Sequence, residues 1–133
     1  MNKNPAEVSP NDVGGSKHWP SELRLKRAEK VLEIDFDDGS KFALPAEILR
    51  VESPSAEVQG HSSSEKKVVA GRRHVGILKI EPVGHYAIRI SFDDMHNTGI
   101  FSWTYLYQLG KNLENVWTDY LEALAERGLS RDP

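Results

Sequence analysis

The chain has 133 residues, 38% of them hydrophobic and 28% charged, with 17 basic against 20 acidic side chains and a net charge of −3. That is enough for one domain with a core and too little for two, and the acidic balance argues against a general nucleic-acid binder, which carries a basic face. With no cysteine, disulfides, thiolate-held clusters and thiol catalysis are excluded. No run approaches the ~20 apolar residues of a membrane span and the first residues lack the apolar core of a signal peptide, so a cytoplasmic protein is expected.

Residues 1–18, "MNKNPAEVSPNDVGGSKH", hold almost nothing to bury and read as a disordered tail. One domain is expected over 19–128. Leu23 and Leu25 alternate with Arg24 and Lys26, and Leu32, Ile34 and Phe36 alternate with Glu33 and Asp35. Period two predicts strands with one buried face. Asp37–Asp38–Gly39–Ser40 supplies a hairpin turn, and Phe42 and Leu44 the return strand. Pro45 suits a first helical position, with one or two helical turns over "PAEILRV". Residues 52–74, rich in Ser, Gly and charge, read as a long mobile loop with Val68 and Val69 as its anchors.

A second hairpin joins "VGILKIEPV" to "HYAIRISFDD", and "TGIF" adds a short strand. Ser102 caps a helix over "WTYLYQL" that Gly110 stops. A last helix starts near Asn112 and ends at Gly128. Its apolar residues, Leu113, Val116, Trp117, Tyr120, Leu121 and Leu124, share one face. Residues 129–133 are expected to fray. The fold class is α+β: antiparallel hairpins form a small twisted sheet, or two small sheets, covered by C-terminal helices. "IDFDDGSKFALPAEIL" and "ISFDDMHNTGIFSWTYL" echo one another, though similar hairpins would look alike without any duplication.

The candidate sites are few. His96 lies beside Asp93 and Asp94, and the three together could ligate a divalent ion through N and O donors. His61 or His85 would have to be brought in by folding. The competing reading makes Asp93, Asp94, Asn97 and Gly99 a turn that His96 caps. Lys66, Lys67, Arg72, Arg73 and His74 put five cationic or titratable side chains into nine residues, a surface for an anion or an acidic partner. No aromatic lies among them to stack a base. Trp103 would join an interaction surface if exposed, although tryptophan at such a position more often packs in a core. No phosphate loop, nucleophile elbow or paired-histidine zinc helix is present.

"WPSELRL", "LPAEILRVESPSAEVQGH" and "IEPVGHYAIRISFDDMHNTGIFSWTYLYQL" resemble the small domain at the N-terminus of gamma-butyrobetaine hydroxylase, over about residues 19–112. They are most similar to its free-standing bacterial form, a domain of unknown function. The resemblance implies a mixed β unit that in the hydroxylases holds zinc on three cysteines and a histidine. The oxidising barrel of those enzymes is a separate domain and is not expected in this chain. By this resemblance His96 stands at the histidine position, while Ser53, Ser55 and Val58 stand where the cysteines would be, so a zinc site of that type looks lost. Related domains are also fused to iron–sulfur carrier proteins, which implies an accessory role near cofactor assembly. The expectation is a non-catalytic binding or adaptor module with a protein partner and no bound cofactor. The alternative is a weak metal-binding accessory protein using His96 with Asp93 or Asp94.

Overall fold

The computed structural model describes residues 18–60 and 66–133. Apart from His18, the tail expected over 1–18 lies outside the described residues, as does His61. Among the described residues six strands and four helices follow in the order β1 (Pro20–Lys26), β2 (Val31–Phe36), β3 (Lys41–Pro45), α1 (Ala46–Val51), α2 (Ala56–Gln59), β4 (Ile77–Val83), β5 (Ala87–Phe92), β6 (Gly99–Ser102), α3 (Trp103–Lys111) and α4 (Leu113–Glu126). They build two antiparallel three-stranded sheets, β1-β2-β3 and β4-β5-β6. The fold is α+β, with the two-sheet arrangement realised. None of the helices among the described residues is long and apolar enough to cross a membrane.

The period-two pattern of the first sheet is realised as read. Leu32, Ile34 and Phe36 are buried on β2, with Leu32 opposite Leu25 on β1 and Leu44 on β3. On the outer face Arg24 reaches Glu33 and Asp35. β5 departs from simple alternation. Ala87 and Ser91 are buried along with Ile88, Ile90 and Phe92, leaving Arg89 as its exposed residue. β5 is the middle strand of its sheet. One cluster takes side chains from both sheets and from α3, including Phe101, Trp103, Leu106 and Leu109. A second joins Ile48 and Val51 of α1 to Tyr120 and Leu124 of α4, with Val68, Val69 and Ala70 packed against it. The apolar stripe of α4 therefore covers α1 and the 68–70 segment, while α3 is the helix laid on the sheets. The anchoring of Val68 and Val69 is as expected.

Three local expectations need correction. Pro45 is the last residue of β3, with φ −63° and ψ 142°, and serves as N-cap of α1 rather than its first residue. Gly110 does not stop α3. It lies inside the helix because a Cβ there would come within 2.3 Å of the Phe42 ring. Its absent side chain is what lets α3 approach β3. Ser102 does cap α3, accepting from the Tyr105 N–H. Residues 129–133, expected to fray, are held by main-chain and side-chain contacts: the N–H groups of Gly71 and Arg73 donate to the carbonyls of Ser130 and Arg131.

The echo between the two halves is a repeated turn. After β2 the Phe36 N–H donates to Ser40 O, the Gly39 N–H to Phe36 O, and the Ser40 N–H to the Asp38 carboxylate. After β5 the Phe92 N–H donates to His96 O, the Met95 N–H to Phe92 O, and the His96 N–H to the Asp94 carboxylate. Each turn contains one left-handed residue: Gly39 at φ 89° in the first and Met95 at φ 74° in the second. Glycine adopts that conformation freely, whereas a side chain there is strained. His96 thus occupies the place that Ser40 fills in the first turn, and the turn aims its ring inward.

Replacing Gly110 by alanine is expected to destabilise the protein by about 1–3 kcal/mol, because overpacking against Phe42 outweighs the helix-propensity gain of about 1 kcal/mol. Urea unfolding measures this, and a more stable variant would contradict the close α3–β3 contact.

Candidate functional site

The β5–β6 turn and the segment after α1 meet at one imidazole. The His96 side chain is 2% exposed. Its Nε2 lies 2.9 Å from Ser53 Oγ and 3.4 Å from Ser55 Oγ, and its Nδ1 lies 3.3 Å from Glu57 Oε2. An ionised carboxylate can only accept. The ring proton is therefore assigned to Nδ1, on the side of Glu57, and Nε2 accepts from the Ser53 hydroxyl. Ser53 is itself fully buried, and Ser55 and Val58 are nearly so. The Gln59 side chain closes the segment by donating to the carbonyl of Ser53.

Asp94 faces another way. One carboxylate oxygen accepts the His96 N–H, while the other takes the Nε–H groups of Arg50 and Arg72, each at 2.7 Å. Burial would raise its pKa, but the Arg50 hydrogen bond and charge outweigh that and hold the carboxyl below its ordinary value. Asp93 is exposed, and its main-chain N–H donates to Gly76 O. Of the three residues His96, Asp93 and Asp94, only His96 turns its side chain toward the serines. Among the described residues no group of three or more His, Asp or Glu side chains is arranged to hold a metal ion.

The basic segment is largely neutralised from within. Lys66 pairs with Glu52 at 2.5 Å, Arg72 with Asp94, and Arg73 with Asp132 at 2.5 Å. The His74 carbonyl accepts from Lys30 Nζ, and the Lys67 side chain stays exposed. Trp103 is buried, with its indole N–H donating to His85 O at 2.8 Å. It presents no surface to a partner, because its ring completes the core under α3. His85 meets Trp103 through its main chain, at the β4–β5 turn, and is not drawn into the His96 cluster.

Serine, imidazole and carboxylate stand here in the order of a hydrolase relay, Ser53–His96–Glu57. The hydrogen bonds can polarise Ser53, but a nucleophile must also be reached, and Ser53 has no exposed surface. The same contacts make a structural knot that joins the β5–β6 turn to the chain between α1 and α2. Sequence reading missed Glu57 and Arg50. Arg50 sits in the apolar run "ILRV", and a charge there is the signal that it has a buried partner.

Burial, and next the Arg50 charge, hold the His96 pKa below its ordinary value of 6.5, against the pull of Glu57 and Asp94. Unfolded chains therefore take up this proton first. The contribution of neutral His96 is present in full above the ordinary histidine value and is lost as pH falls through the folded one. NMR titration is expected to place the His96 midpoint below 6.5, and a midpoint above that value would contradict the buried neutral ring. His96→Ala is expected to cost about 3 kcal/mol, from the cavity and the unpaired Ser53 hydroxyl, as read by urea unfolding.

The gamma-butyrobetaine hydroxylase-like N-terminal family model matches residues 23–107. A search of curated proteins returns no match. Among solved structures, a protein determined by NMR in solution is 45% identical, with TM-score 0.78, covering 89% of this chain and 93% of its own. A second NMR structure is 43% identical, with TM-score 0.77, covering 90% and 89%. The crystal structure of a DUF971-family protein of unknown function from Acidithiobacillus ferrooxidans is 42% identical, with TM-score 0.58, covering 68% of this chain and 91% of its own. The donor set here does not fit the zinc that the resemblance implied: His96 offers one imidazole nitrogen, Ser53 and Ser55 neutral hydroxyls, and Val58 nothing. From its matched residues and its solved relatives, the chain belongs to the gamma-butyrobetaine hydroxylase-like N-terminal domain family.

Proposed function

We propose that this protein is a non-catalytic binding module of the cytoplasm that docks a partner protein through the turn carrying Met95. The observation that carries this reading is Met95 itself. It is 85% exposed and holds a left-handed backbone at φ 74°, in the position that glycine fills in the sister turn. A flexible apolar side chain set in solvent on a strained backbone contributes nothing to the core. It makes sense where the side chain is used, because methionine adapts its shape to an apolar partner surface. Behind it, Asp94 and the two arginines brace the turn, and His96 ties it to the 53–57 segment. The face presented to a partner is thus rigid.

A divalent ion on His96 with Asp93 or Asp94 is the less favoured reading. Both ring nitrogens of His96 already have partners, and Asp94 serves two arginines. The absence of cysteine argues likewise against a thiolate-held cluster on this chain.

Met95→Gly is expected to stabilise the fold by about 0.5–1 kcal/mol by relieving the left-handed strain, while weakening retention of the partner in affinity capture with the full chain. Met95→Asp, which keeps the fold, is expected to lose that partner. Undiminished capture by Met95→Asp would sink the docking turn, as would the failure to recover any reproducible partner with the unmodified chain.

A further inference from the structure

The arm formed by residues 129–133 adds no side chain to the core, yet it is held by a set of specific contacts. Arg131 makes a two-pronged contact with Glu47, Nε to Oε2 at 2.9 Å and Nη2 to Oε1 at 2.7 Å. Its guanidinium carbon lies 4.7 Å from the centre of the Trp117 ring. Asp132 pairs with Arg73 at 2.5 Å, and the Gly71 and Arg73 N–H groups each donate at 3.0 Å to the arm carbonyls. Leu129 and Asp132 remain largely in solvent, at 42% and 66% exposed. Recognition of a charge pattern and of main-chain carbonyls holds the arm, rather than apolar burial.

The receiving side is built for a cation. With the arm in place Glu47 is 7% exposed, and a carboxylate enclosed to that degree needs the positive partner that the arm supplies. An aromatic face beside it and a forked carboxylate geometry select arginine over lysine. Arg73 then reads an acidic side chain one residue further along. We infer that α1, the 71–73 segment and Trp117 form a groove for a short peptide bearing arginine followed by an acidic residue. Residues 129–133 fill it in cis, and a matching segment of a partner protein fills it in trans. Gly128, at φ 65° after α4, is the pivot about which the arm departs. The groove reads its occupant through Glu47, Arg73 and Trp117, none of which braces the Met95 turn, so its failure and that of the docking turn are distinguishable.

The full chain carrying Arg131→Ala is titrated with the synthetic peptide Leu-Ser-Arg-Asp-Pro, and its melting midpoint and Trp117 fluorescence are followed. A tethered arm competes at an effective concentration in the millimolar range, so the peptide is taken to about 10 mM. Rescue of the midpoint is expected, with at least a tenfold weaker effect from a peptide in which alanine replaces arginine. Equal effects of the two peptides, or no effect on a folded variant, would overturn the groove. If Arg131→Ala does not fold, the unmodified chain is titrated and the amide signals of residues 130–132 are followed by NMR. Displacement of the arm supports the groove, and an undisturbed arm refutes it. A concentration-dependent dimer of the unmodified chain with exchanged arms would assign the site to a second copy and overturn the partner peptide.

Discussion

An imidazole that is 2% exposed has to satisfy both of its nitrogens with neighbouring side chains, and His96 meets that demand with Ser53 on one side and Glu57 on the other. This requirement organises the region. It draws the chain between α1 and α2 down over the β5–β6 turn and buries two serines in the process. It also sets the sign of everything nearby. Because the ring is neutral, Asp94 is free of it and gives one carboxylate oxygen to both Arg50 and Arg72. That double pair fixes Arg72 of the basic segment, and Lys66 and Arg73 find carboxylates of their own. A segment that reads as a positive patch becomes part of the body's internal charge balance.

The family relationship and this chemistry meet at the same three residues. The serines that stand at cysteine positions by resemblance are the serines that touch His96. A tetrahedral zinc with Zn–N near 2.0–2.1 Å and Zn–S near 2.3 Å would set sulfur and nitrogen about 3.5 Å apart. Ser53 and Ser55 lie 2.9 and 3.4 Å from Nε2. Hydroxyl hydrogen bonds draw in slightly closer than thiolates around an ion would. Stability at this point rests on hydrogen bonds and packing among these residues.

Much of the fold was legible because it depends on neighbours in sequence. The strands showed their period of two, the double-aspartate turns their hydrogen-bonding side chains, and Ser102 its cap. What escaped depends on distance along the chain. Gly110 resembles a helix stop until Phe42, far away in sequence, is seen to need the space. Arg131 and Glu47 are 84 residues apart, so the final segment offered no sign of being held. The site was half visible. The resemblance placed His96 with Ser53 and Ser55, but adjacency suggested Asp93 and Asp94 as its companions, and a turn sends adjacent side chains in different directions. Met95 gave no signal until the sister turn showed glycine in its place.

The claim that hydrogen bonds have replaced a metal centre at His96 is tested most directly by zinc analysis of two proteins purified alike: the unmodified chain and the variant Ser53→Cys, Ser55→Cys, Val58→Cys. The account predicts no zinc above background in the first and one equivalent in the second, released on loss of His96. Stoichiometric zinc on the unmodified chain would contradict it, and a folded triple variant that takes up none would show that the scaffold around His96 is not that of a metal centre.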